Sequence, residues 1–376
     1  MKIGIDIRHL TDPRPAGVGG YTRQLLAALF RLDQANEYVL FATGTPWSLR
    51  RLPTFDFPNV KAVTLPVPNK VMNGFVLVTG GPVLESLVPG HKIDKWFFPN
   101  LNFISTKLPY VITAHDLSYE IFPEFFSTKM RLWHKAVQPK RIFHNAAAIL
   151  APSTSTKRDL ELFYGIDADK VHTVPLAAGN LAGAEDPAYE LPARYLLTLG
   201  TLEPRKNHLS VIEAYEAYRD QSHDPISLVI AGGRGWKSAP IVRAIEQSKY
   251  AKEIQLIDYV SEGQKRELYR RAQLFLFPSF YEGFGLPVLE AMQAGCPVIT
   301  SNTSSLPELC GGRGPRLSST AALLVDPFNV NDITVAINLL LTSPRLREDL
   351  ITKGRERAED FAWEKTARAT LGVLEK

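Results

Sequence analysis

Cysteine is almost missing from this sequence: Cys296 and Cys310 are the only two in 376 residues. Two cysteines can neither staple a secreted scaffold nor build a four-cysteine zinc site, and they suit a reducing compartment. No apolar run reaches the roughly 18 residues needed to span a bilayer. The best candidate, residues 74–88, is cut by Gly80, Gly81, Pro82 and Glu85. Residues 1–6 enter a strand-like run with no basic head and apolar stretch, so no signal peptide is expected, and the chain reads as cytoplasmic. The 25 glycines and 27 prolines keep no period, which excludes collagen-like and low-complexity chains. His9, His91, His134, His144, His172, His208 and His223 show no paired ligand spacing, and no Asp-x-Asp ends a strand, so no metal site is expected. A Gly-x-Ser-x-Gly elbow is also absent, which argues against a serine hydrolase.

Charge excludes less. The chain carries 43 Lys and Arg against 39 Asp and Glu, a net +4. Residues 1–180 hold 20 cations and 14 acids, hence +6, leaving −2 for the remainder. That excess suits an anionic lipid face or substrate and equally an ordinary solvated surface, but it is no dense stripe of a nucleic-acid binder.

What is present is alternation. Apolar, β-branched runs fall at 2–5, 38–41, 62–65, 95–98, 110–113, 148–150 and 171–174. They resume at 195–199, 227–230, 254–256, 274–277, 297–300 and 322–325, with helical periodicity between them at 21–32, 131–145, 209–219 and 265–272. Such alternation builds parallel sheets covered on both faces, so the fold class is α/β with two doubly wound Rossmann-like domains. The aperiodic stretch 177–193 separates them, giving expected domains of 1–180 and 193–360, with a cleft at the carboxyl ends of the strands for a small ligand.

Four segments carry candidate chemistry. In 279–292, Gly283 and Gly285 let backbone approach a ligand, and Pro287 opens a helix whose start attracts hydroxyl or phosphate oxygens. Glu290, one turn into that helix, suits a ribose diol, although singly Glu282 and Glu290 also read as a solvated acid and a dipole-stabilising acid. In 200–207, Gly200 ends a strand and the adjacent Arg205 and Lys206 would neutralise a diphosphate. Gly17, Gly19 and Gly20, ahead of Tyr21, lack the Gly-x-Gly-x-x-Gly spacing of a dinucleotide fingerprint but leave room for a group near a helix start. His115 follows the strand 110–113, where an imidazole can donate to a sugar hydroxyl or shuttle a proton.

Together these segments resemble the retaining glycosyltransferases of the group 1 (family 4) type, which have the two-domain GT-B fold. The match is strongest across 195–310, where Glu282 and Glu290 stand as a glutamate pair separated by seven residues. Ala294-Gly295-Cys296-Pro297 and Leu306-Pro307-Glu308 follow as in that family. The resemblance implies that Arg205 and Lys206 hold the departing diphosphate and Glu290 the ribose. It further implies that Glu282 and the N–H groups of Phe284 and Gly285, beside Gly283 and Leu286, hold the donor sugar. Tyr259 and Val260 would contact the base, His115 the C6 hydroxyl, and Gly19, Gly20 and Gly200 the ligand through backbone.

No metal or other cofactor is implied. The co-substrate that the resemblance implies is a nucleotide-diphosphate sugar, with GDP-mannose favoured because the wording Gly-Thr-Leu-Glu-Pro-Arg-Lys-Asn resembles bacterial mannosyltransferases of surface-polysaccharide assembly. The implied acceptor is a saccharide or lipid-linked saccharide of bacterial surface polysaccharide or glycolipid synthesis, and the alternating aromatics and cations of 125–133 suit a membrane-surface helix and equally an ordinary amphipathic core helix. Glucosyl or N-acetylglucosaminyl transfer, a nucleotide-sugar epimerase and a non-catalytic sugar-nucleotide binder stay open beside it. The last helix, 361–376, would return to the first domain. Residues 174–180 depart from the family's usual Pro-Asn-Gly-Val-Asp, and 311–316 read as a local insertion.

Overall fold

The computed structural model describes residues 1–12, 17–179, 190–311 and 320–376; most of the 177–193 linker, Pro15 and Ala16, and 312–316 of the insertion lie outside the described residues. The described chain forms two compact units. One comprises Met1–Leu117, Thr128–Leu176 and Ala362–Lys376, the other Ser118–Ser127 and Ala177–Phe361.

The first unit is built on β1 (Lys2–Asp6), β2 (Glu37–Thr43), β3 (Val60–Leu65), β4 (Lys95–Phe98), β5 (Tyr110–Thr113), β6 (Ala148–Ala151) and β7 (Val171–Thr173). All pair in parallel, in the order β3-β2-β1-β4-β5-β6-β7, with Ile3 opposite both Tyr38 and Lys95. The second unit uses β8 (Tyr195–Leu199), β9 (Ser227–Ala231), β10 (Ile254–Ile257), β11 (Leu274–Phe277), β12 (Val298–Ser301) and β13 (Leu323–Val325), in the parallel order β10-β9-β8-β11-β12-β13. Both are doubly wound parallel α/β sheets, as the strand–helix alternation predicts. The strand order reverses beside β1 and again beside β8, and such reversals open a crevice at the carboxyl ends of the strands.

Covered parallel strands need apolar residues on both faces, which is why the central strands are short apolar runs, while the edge strand β3 carries Lys61 and Thr64 and has no buried residue. Ile3, Ile5, Phe97 and Ile112 are fully buried in the first sheet, and Leu196, Leu228, Ile230 and Leu276 in the second. Gly4 is required where β1 meets β4, because a Cβ there would lie 2.6 Å from the Trp96 ring.

Three local expectations change. The periodicity over 131–145 is two helices, Thr128–Val137 and Pro139–Asn145. Pro139 has no N–H and disfavours right-handed helical geometry in the residue before it, which breaks the helix at Gln138, found at φ 57°. Gly17, Gly19 and Gly20 lie inside the first turn of the helix Gly17–Leu32, not in a loop ahead of it. The segment Ser118–Ser127, within the span expected for the first domain, clusters with the second unit. There Phe125 packs on Phe280 at 5.4 Å, Phe126 stacks on Trp236 at 5.7 Å, and Trp236 Nε1 donates to the Phe125 carbonyl at 2.8 Å. Phe125 and Phe126 therefore leave the aromatic–cation surface read over 125–133, and the helix starts only at Thr128.

The helix Trp363–Leu374 packs within the first unit on Gly17–Leu32. Thr366 Oγ1 donates to the Pro175 carbonyl at 2.8 Å, and Lys95 Nζ to that of Leu374 at 2.8 Å.

Candidate active site

In the second unit the loop after β8 and the loop after β11 meet at the strand-order reversal. Gly200 leaves β8 with its N–H on the Ala231 carbonyl, and Gly232 crosses so near that a Cβ on it would lie 2.0 Å from the Gly200 oxygen. A short turn, Pro204–Lys206, then presents the two cations, and Asn207 stops it at φ 58°. Asparagine tolerates the left-handed region, and here its amide donates to the carbonyls of Pro278 at 3.0 Å and Pro327 at 2.8 Å. The Phe280 N–H on the Arg205 carbonyl, 3.0 Å, closes the two loops together.

Hydroxyls from the segment after β12 hold the glycine loop. Ser301 Oγ donates to the Ser279 carbonyl at 2.5 Å and Thr303 Oγ1 to that of Phe280 at 3.1 Å. Ser305 Oγ lies 2.8 and 2.9 Å from the carbonyls of Glu282 and Phe284, and the Glu282 N–H donates to Ser304 Oγ at 3.0 Å. The loop ends at Gly285, φ 109°, where a Cβ would lie 2.7 Å from Leu306; the helix Leu286–Ala294 follows with Pro287 in its first turn.

Arg205, Lys206 and Glu282 come together here. Arg205 Nη1 and Lys206 Nζ donate to the two Glu282 oxygens at 2.8 and 2.6 Å. Arg205 Nη2 donates to Glu203 at 2.7 Å and Nη1 also to the Tyr281 carbonyl at 2.8 Å. Lys206 Nζ lies 4.9 Å from the Phe277 ring centroid. Burial pushes the Glu282 carboxyl up, but Arg205 and Lys206 outweigh it and hold the group at about 2. Burial lowers Lys206 against the support of Glu282, and raises Glu203 against Arg205. Two cations thus face two carboxylates, and the cluster is balanced.

Glu290 stands apart from that cluster, accepting from Tyr269 Oη at 3.0 Å and Lys265 Nζ at 3.5 Å. Burial raises its carboxyl. Lys265 belongs to the helix Glu262–Arg271, opened by a reciprocal cap between Ser261 and Gln264. Ahead of it Tyr259 is 66% exposed, with its N–H on Asp258 Oδ1 at 2.8 Å, while Val260 is buried.

Gly19, Gly20 and His115 lie in the first unit. His115 Nε2 is 2.8 Å from the Pro99 carbonyl, and its ring meets Tyr21 edge-on at 4.8 Å. Burial lowers its pKa. Among the described residues no group of three or more His, Cys, Asp or Glu could hold a metal ion.

Sequence reasoning missed Glu203, Tyr269, Lys265 and the hydroxyls of Ser301–Ser305. Glu203 stood inside the quoted Glu-Pro turn; the others come from separate elements and gave no local signal.

Two family models divide the chain: Glycosyltransferase Family 4 matches residues 15–177, and Glycosyl transferases group 1 matches 186–357. O-antigen chain mannosyltransferase B of Escherichia coli is 32% identical over 273 residues, covering 70% of this chain and 69% of that protein. The chain belongs to the group 1 glycosyltransferases. Serotype-specific mannosyltransferase WbdA of Escherichia coli is 29% identical to this glycosyltransferase over 61% of its length, a match spanning only 29% of WbdA. In fold, the sucrose-phosphate synthase of Thermosynechococcus elongatus superposes with a TM-score of 0.76 at 19% identity, covering 100% of this chain and 98% of that one.

Proposed function

We propose that this glycosyltransferase moves mannose from GDP-mannose to a saccharide or lipid-linked saccharide, with retention of anomeric configuration and without a metal, in bacterial surface-polysaccharide synthesis. The single observation that carries the reading is the buried cluster of Arg205, Lys206 and Glu282 at the switch point of the second sheet. A diphosphate entering there takes over the Arg205 and Lys206 donors, and Glu282, released from both, turns to the sugar hydroxyls. The guanidinium fork and the ammonium then stabilise the diphosphate as the glycosidic bond breaks, with the helix start at Gly285 adding its dipole. Glu290 takes the ribose diol, the backbone at Tyr259 and Val260 the base, and His115 the sugar's C6 hydroxyl. The mannosyl choice leans on the relatives named mannosyltransferases.

Arg205→Ala and Lys206→Ala each lower turnover by two or more orders of magnitude while the protein stays folded; near-normal turnover in both removes the pair from the site. Activity persists in EDTA, and a strict Mg²⁺ requirement would contradict the charge argument. Calorimetric titration with GDP-mannose, UDP-glucose and UDP-N-acetylglucosamine decides the donor, and preference for either UDP sugar retires mannose. Peripheral contact with an anionic membrane is part of the proposal. Val71, Phe75 and Val78 on the helix Asn69–Thr79, and Leu132 beside Arg131, are exposed apolar side chains in the basic half of the chain.

A further inference from the structure

Among the described residues, the switch point of the first sheet holds a single buried ion pair. Arg8 follows β1 and is only 1% exposed. Its Nε and Nη2 grip both Asp6 oxygens at 2.6–3.0 Å, its Nη1 reaches Asn73, and its Nη2 also reaches the Phe103 carbonyl. The pair is electrically closed and offers nothing to an anion.

The next residue is His9. Its Nε2 lies 2.8 Å from Thr22 Oγ1, and Thr22 Oγ1 donates its one proton to the Val18 carbonyl at 3.0 Å. Thr22 can therefore only accept from the imidazole, so Nε2 carries the proton and Nδ1 a lone pair. Among the described residues nothing bonds that Nδ1. His115 has the same form, because its Nε2 faces a carbonyl that can only accept. Burial brings His9 down to about 4 despite Asp6, with His115 and Arg8 adding to the fall, so the ring is neutral at working pH. An unprotonated ring nitrogen beside a closed ion pair repels phosphate and carboxylate and accepts from O–H.

We propose that His9 recognises an uncharged saccharide at the carboxyl end of β1, its Nδ1 accepting a hydrogen bond from a sugar hydroxyl. This rests on the reading that the chain handles saccharides, and the hydroxyl belongs either to the donor hexose or to the acceptor.

The test uses the full chain labelled with ¹⁵N-histidine, in which His9 is assigned by the signal lost in His9→Asn. It is titrated with methyl α-mannoside, α-mannobiose, methyl α-glucoside, methyl N-acetylglucosaminide, GDP-mannose and UDP-glucose. The expected result is an unprotonated Nδ1 whose signal moves with at least one of these sugars. His9→Gln keeps a donor toward Thr22 but loses the acceptor, and weakens that sugar's binding roughly three- to tenfold, the worth of one neutral hydrogen bond. His9→Asn, with an amide oxygen available at the Nδ1 position, stays within about twofold. Movement by a free glycoside assigns the hydroxyl to the acceptor; movement by a nucleotide sugar alone assigns it to the donor. A response to glucosides in place of mannosides retires the mannose reading and keeps His9. A protonated Nδ1, a signal that no sugar in the panel moves, or unweakened binding by His9→Gln overturns the inference.

Discussion

Glu203 is 2% exposed and raised by burial, yet it accepts from Arg205 Nη2 at 2.7 Å. A buried carboxylate kept beside a cation fixes where that cation points, and removing one partner leaves the other uncompensated. Glu203 is thus a positioning residue for the guanidinium. Glu203→Ala should raise the KM for the nucleotide sugar about tenfold with a smaller fall in kcat, whereas Glu203→Gln, which still accepts through its amide oxygen, should recover most of that loss. Steady-state kinetics with the donor varied checks it; a kcat loss without a KM change, unrecovered by Gln, would make Glu203 merely structural. Glu282 was visible in the sequence as an acid beside glycines, while Glu203 was not singled out. What the sequence could not show is that Glu282 is committed to Arg205 and Lys206, because that carboxylate and those cations lie on loops after two different strands, whereas Glu203 stands two residues from Arg205 on the same loop.

Elements were more legible than contacts. Central strands such as Tyr110–Thr113, Ala148–Ala151, Tyr195–Leu199 and Leu274–Phe277 are short runs buried at every position, and such runs announce themselves without tertiary information, whereas the edge strand Val60–Leu65 has no buried residue. Helices blurred where one residue overrides periodicity, as Pro139 does, and where glycines read as a loop are taken into a first turn at Gly17–Gly20. The helix Asn69–Thr79 gave no clear signal among 74–88, yet it leaves Val71, Phe75 and Val78 exposed at 50, 58 and 82%, spaced so that they share one face. An apolar stripe of that kind in a net basic region suits an anionic bilayer. Flotation with vesicles containing about a third phosphatidylglycerol should recover the protein, and Phe75→Ser with Val78→Ser should reduce recovery several-fold without shifting the unfolding midpoint. Equal flotation of the double variant, or none by the wild type, would remove this helix from the membrane argument.

At the scale of the whole molecule, each unit carries a histidine brought down to about 4 chiefly by burial, His9 in the first and His208 in the second. Between about pH 6.5 and 4 the unfolded chain therefore binds more protons than the folded one, so stability falls as pH falls through that window. Each histidine accounts for up to about 3 kcal/mol of the loss. Glu282, held at about 2, keeps its stabilising share through this window and loses it only on further acidification. Unfolding midpoints should drop steadily from pH 7 to 4.5, and a flat profile would contradict both burials. The thiols give a readout of the second unit alone, since Cys296 and Cys310 both lie there, 3% and 0% exposed. Burial raises both, Cys310 to about 12, so neither reacts with a disulfide reagent until the unit opens. A ligand bound only to the closed form lowers the open population by the factor 1 + [L]/Kd. GDP-mannose at about 100 times its Kd should therefore slow labelling about 100-fold. An unchanged rate at saturation would mean that the sugar nucleotide does not bind the unit carrying Arg205 and Lys206.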